Sequence, residues 1–90
     1  MKLNDYKNEV KVFMEKINAF DKNSKQKIDW LEKEFDLLKA AVYNSKSASI
    51  CHQIYDMIYI LLEIAADNDC DLDTEWSKGA TRKQEKYINK

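Results

Sequence analysis

The sequence predicts a single all-α domain over residues 1–90, and three observations carry that prediction. The chain has no proline and one glycine, Gly79, so the residues that usually build tight turns and hairpins are missing. Strong helix formers, Lys, Glu, Leu and Ala, are plentiful. Apolar residues recur every three or four positions through most of the chain, which is the period of one helix face. Ninety residues hold one modest core and not two, so no domain boundary is expected.

The first helix is expected over residues 4–20, with Tyr6, Val10, Phe13, Ile17 and Phe20 as its apolar stripe. Residues 21–27 are polar, and Asn23 and Ser24 suit a turn and a helix cap. A second helix over residues 26–44 carries Ile28, Leu31, Phe35, Leu38 and Val42. Trp30, Leu37 and Ala41 widen that stripe, so a broad buried face is expected. After a break at 44–47, the third helix, 47–67, is apolar in almost every direction through Ile54, Tyr55, Met57, Ile58, Tyr59, Ile60, Leu61, Leu62 and Ile64. A helix of that kind must be surrounded. Three neighbours of this size cover it only in part, so the fold is expected to be completed by homo-oligomerisation. Asp71 stands at an N-cap position, followed by Asp73 and Glu75, and opens a fourth helix. That helix has Leu72, Trp76, Ala80 and Lys83 on one side, with Lys78, Arg82, Lys83 and Lys86 in its later turns. Core packing is expected for both Trp30 and Trp76, with stacking on a base as the other role open to them.

Charge narrows the function classes. Fifteen basic against sixteen acidic residues give a formal charge of -1, which is no field for nucleic acid or for an anionic membrane. The longest apolar run, 54–66, is interrupted by Asp56 and Glu63 and is too short to span a bilayer. The N-terminus turns polar at once, so no signal peptide is read and a cytoplasmic location is expected. Cys51 and Cys70 lie nineteen positions apart with no second thiol or histidine at metal-ligand spacing, so both are expected to be reduced.

Asp56 is the most informative residue, because it interrupts an apolar helix with hardly any face to give to water. His52, Gln53, Asp56 and Glu63 share roughly one side of that helix. Glu32, Lys33, Asp36 and Lys39 form a comparable polar stripe on the second helix. Facing each other, the two stripes would make a cleft lined by carboxylates. Two readings fit: Asp56 accepts bonds from Lys33 or Tyr43 and fixes the register of the bundle, or it belongs to a divalent-cation site built from oxygen ligands.

Segment 53–73, QIYDMIYILLEIAADNDCDLD, resembles the third helix and following turn of the MazG-like, all-α nucleoside triphosphate pyrophosphohydrolases. In that family an E-x-x-D pair opens a strongly apolar helix that ends before an Asp-Leu helix start. Upstream, EKEFDLLKA at 32–40 is similar to the family's EE-x-x-EL-x-x-A on its second helix. VKVFMEK at 10–16 resembles the first-helix pattern of some members.

The resemblance implies a four-helix MazG-like bundle, a homodimer or tetramer, and Mg²⁺ held by paired acidic motifs. Its implied activity is hydrolysis of a nucleoside triphosphate to the monophosphate and pyrophosphate. Carried over residue by residue, the four family carboxylates fall on Lys33, Asp36, Gln53 and Asp56. A formal -4 thereby becomes -1, which weakens a cation site. Glu32 and Glu63 offer a compensating acidic set, so the expected catalytic residues are Asp36, Asp56 and Glu32, and the expected Mg²⁺ ligands are Asp36, Asp56, Gln53 and Glu63. Lys33, Lys78 and Arg82 are the expected phosphate partners. An active Mg²⁺-dependent pyrophosphohydrolase, a relative that kept the fold and lost the chemistry, and an unrelated helical interaction module all remain open.

Overall fold

The computed structural model describes residues 2–89. Among them are four α-helices and no strand: α1 (Leu3–Lys16), α2 (Ser24–Tyr43), α3 (Ser47–Asp67) and α4 (Leu72–Tyr87). The all-α expectation is thus met, and the bounds of α3 are those read from its pattern.

Local chemistry explains the starts. The Asn23 side chain accepts the Gln26 backbone N–H at 3.2 Å and caps α2. Asp71 accepts the Thr74 N–H at 3.1 Å and the Thr74 hydroxyl at 2.7 Å, and caps α4. The stops of α1, α2 and α3 share one device. Asn18, Ser45 and Asp69 adopt left-handed φ values of 58°, 54° and 50°. The next residue then donates its N–H back into the last turn, Ala19 to Met14, Lys46 to Ala41 and Cys70 to Ala65. For this reason α1 ends at Lys16 instead of reaching residue 20, and Phe20 turns back beside Val10 and Met14.

The sole glycine, by contrast, lies inside α4, where helix formation gains nothing from it. A Cβ at Gly79 would meet nothing nearer than the Arg82 Nη2 at 3.5 Å. Gly79→Ala is therefore expected to raise stability by about 0.5–1 kcal/mol, read as a higher midpoint of thermal unfolding.

α2 and α3 form an antiparallel hairpin. Lys27, Leu31, Glu34, Leu38 and Ala41 of α2 are withdrawn from solvent, as are Gln53, Met57, Ile60, Ile64 and Asp67 of α3. Both sets alternate steps of four and three, the spacing of a coiled-coil seam. α1 covers one side of the hairpin through Val10 and Met14, near Glu63 and Ala66 of α3. α4 has no buried residue and is tied to the start of α1. The Leu3 N–H donates to Asp73, the Leu72 N–H to the Asn4 amide oxygen, and Asn4 Nδ2 to Asp71, each at 2.9 Å. Lys7 Nζ donates to the Cys70 carbonyl at 2.6 Å.

The apolar face of α2 expected to be buried is rotated partly out of the core. Leu31 and Leu38 lie in the seam, whereas Ile28, Phe35 and Val42 stand half-exposed beside it. Trp76, expected in the core, is 72% exposed and borders an open cleft of about 370 Å³ with Tyr6 and Leu3. Trp30, also expected in the core, is 37% exposed on α2. Cys51 and Cys70 are free thiols. No helix among the described residues is long and apolar enough to cross a membrane.

Candidate functional site

Asp56 sits at the edge of the α2–α3 seam with its side chain 32% exposed. One turn earlier on the same helix, His52 Nε2 lies 3.1 Å from Asp56 Oδ2. The carboxylate therefore takes a helical neighbour as partner, and not Lys33 or Tyr43. Tyr43 is 81% exposed at the end of α2.

The polar stripe of α2 does not face α3. Glu32, Lys33, Asp36 and Lys39 are all exposed, because the seam takes Lys27, Leu31, Glu34, Leu38 and Ala41 instead. Glu63 lies two turns beyond Asp56, roughly 10 Å along the helix axis, on the side that α1 covers. The residues read as Mg²⁺ ligands thus fall in three places. Asp36, with Glu32, is on the solvent side of α2; Gln53 and Asp56 are at the seam; Glu63 is beneath α1. Lys78 and Arg82 are exposed on α4, while Lys33 is exposed on α2. Among the described residues no group of three His, Cys, Asp or Glu side chains converges as a cation cage.

A buried ionic cluster occupies the opposite end of the hairpin. Lys27 is only 2% exposed, and its ammonium donates to Asp67 at 2.7 Å and to Asp21 at 2.9 Å. Ser24 Oγ also donates to Asp67 at 3.1 Å, and Asn68 Nδ2 donates to Ser24 Oγ at 3.0 Å. Burial pulls the Lys27 ammonium down, but the bonds to Asp67 and Asp21 outweigh it, so its pKa is raised. The Asn23 N–H and Lys27 hold Asp21 below the usual carboxylate range. Glu63 is 6% exposed, and burial drives its pKa up, against the pull of Lys27 and with the push of Asp67 and Asp21. One cation therefore serves three carboxylates, and Glu63 is the one left without a bond to it.

Glu34, like Lys27 and Asp67, is a seam residue that hydropathy does not mark. Its Oε2 is buried without a hydrogen-bond partner, as is Gln53 Oε1 across the seam. The signal for it was heptad position: Glu34 falls seven residues after Lys27, on the same inward row. Such orphaned oxygens suit a hard cation in kind. Their spacing does not. The Lys27–Asp67 pair sets Glu34 level with about Ile60, so it stands roughly one turn to one side of Asp56, and Gln53 stands roughly one turn to the other. The retained donors do not gather around one Mg²⁺.

No protein-family model, no curated protein and no solved structure matches the chain.

Proposed function

We propose that this chain is a MazG-like helical protein whose pyrophosphohydrolase centre is degenerate, working as a homo-oligomeric binding module with a nucleotide as its ligand class. The ligand class comes from the resemblance in α2 and α3. The observation that carries the loss of chemistry is the dispersal of the expected site: Glu32, Lys33 and Asp36 lie outside the seam that holds Gln53 and Asp56. When bound in the enzymes that the chain resembles, Mg²⁺ neutralises triphosphate charge and activates water. Here an exposed lysine at 33 repels a cation and supplies a point charge suited to phosphate oxygens. Lys78 and Arg82 on α4 offer the same chemistry to a phosphate chain. The family that the chain resembles holds the metal with paired acidic motifs, and only Asp56 of the four aligned positions lies at the seam with its charge retained.

A second reading, the active Mg²⁺-dependent pyrophosphohydrolase, is favoured by one feature. The buried, unpartnered oxygens of Glu34 and Gln53 are of the kind that a hard cation satisfies, although they stand about one turn to either side of Asp56.

Incubation with a panel of nucleoside triphosphates and Mg²⁺ or Mn²⁺ separates the two. The expected result is a rise in melting temperature with nucleotide, since a ligand bound only by the folded state stabilises it, and no pyrophosphate release above that of Asp56→Asn. Release that Asp56→Asn abolishes establishes the enzyme instead. With neither release nor a shift, nucleotide is not the ligand and an unrelated interaction module is left.

A further inference from the structure

The protomer exposes more surface than a chain of its size should keep. A compact monomer of 10.6 kDa would show roughly 5,500 Å², whereas this one shows 6897 Å². Its radius of gyration, 15.4 Å, likewise exceeds the roughly 12 Å of a compact domain of this length. The excess is comparable to, or larger than, the roughly 800 Å² per partner that a standard dimer interface buries.

The apolar part of that surface is organised. Ile28, Phe35 and Val42 are 44%, 48% and 51% exposed, and each stands seven residues from the next on α2. Ile54, Ile58 and Leu61 of α3 are 44%, 47% and 50% exposed. Each of these six residues lies one position after a seam residue of its own helix. In an antiparallel pair that offset turns both helices toward the same side. The six therefore form one face, opposite the side that α1 covers.

We infer that this face is the interface with a second copy of the chain, packed so that α2 runs antiparallel to the partner's α2 about a twofold axis at Phe35. This rests on the homo-oligomer reading above and names its surface. A twofold interface must be self-complementary, and the α2 row is symmetric about Phe35. Ile28 falls opposite Val42 of the partner subunit, and Phe35 opposite the partner's Phe35. Charges on the same face obey the same symmetry. Glu32 precedes Phe35 by three residues and Lys39 follows it by four, so each Glu32 comes within one residue of the partner's Lys39. Lys39 Nζ already leans over its own Phe35 ring, 5.7 Å from the centroid, at the edge of the proposed contact. The α3 row is centred at the same level, because the register set by Lys27 and Asp67 places Phe35 beside Ile58 and Tyr59.

Sedimentation equilibrium across a concentration series tests the inference. The wild type is expected at twice the protomer mass, and Phe35→Asp at the protomer mass. Glu32→Lys alone is expected to weaken association about tenfold, and Glu32→Lys with Lys39→Glu to restore it. Phe35, Glu32 and Lys39 are all on the surface of the protomer, so the charge-reversal pair reads association without disturbing a core. A wild type that stays monomeric overturns both this interface and the homo-oligomer reading, and leaves the face to a different protein. A dimer indifferent to Phe35→Asp, or a double variant no tighter than the single, overturns the interface alone.

Discussion

Replacing Lys27 with methionine is expected to lower the unfolding free energy by about 3–5 kcal/mol, measured by urea unfolding at pH 7. The loss exceeds that of a surface ion pair because the side chains of Lys27 and Asp67 are 3% and 1% exposed. Removing the ammonium leaves the Asp67 carboxylate buried with only the Ser24 hydroxyl, and with Glu63 close by. Methionine fills the space of the lysine stem, so the change reports charge rather than a cavity. Adding Asp67→Leu should recover most of the loss, since replacing both partners of a buried pair by apolar groups is often neutral or better. A double variant as unstable as Lys27→Met would show that the pair acts through packing instead. The pH dependence has a definite direction. With the Lys27 pKa raised in the folded state, its contribution is complete below the unfolded value of 10.5 and fades as pH rises through the folded value. Asp21 is shifted the other way, so its share is present above 3.8 and fades as pH falls below it.

That ion pair also explains where the sequence could and could not be read. The bounds of α3 and the Asp71 cap of α4 were legible because both rest on local signals, an unbroken apolar run and an acidic cap. The end of α1 was hidden because Ile17 and Phe20 continue the apolar period past Asn18, whose left-handed turn leaves no trace in hydropathy. The rotation of α2 was harder. Two inward rows share Leu31 and Leu38: one adds Ile28, Phe35 and Val42, the other Lys27, Glu34 and Ala41. Hydropathy selects the first for the interior of a monomer. The protomer selects the second, because Lys27 meets Asp67 across the hairpin and the apolar row is left to face outward. The same rotation carries Glu32, Lys33 and Asp36 away from α3, so the two polar stripes read from the sequence do not face each other across the seam. Glu34 escaped notice since a glutamate beside a lysine and a phenylalanine reads as surface until the seam is known.

Glu63→Gln is expected to stabilise the protein at neutral pH by about 1–2 kcal/mol, at the upper end of what single favourable substitutions commonly give. The reason lies in the excess of carboxylates around Lys27. Asp67 and Asp21 both bond the ammonium, while Glu63 is buried near them with its charged form disfavoured, first by burial. Because its folded pKa is raised above the unfolded value, the folded state holds more protons between the two values. Wild-type stability should therefore decline as pH rises through that interval, which begins at 4.5, and the glutamine variant should lack this decline. Denaturant midpoints taken from pH 5 to pH 8 read both effects. The comparison bears on function as well. As a Mg²⁺ ligand, Glu63 would give the wild type a metal-dependent rise in melting temperature that the variant loses, whereas in the degenerate centre Lys27 already supplies the local positive charge and Mg²⁺ moves neither protein. A variant less stable than the wild type at pH 7 would mean that Glu63 is ionised and held by Lys27, and that the lysine balances more negative charge than its two bonded partners carry.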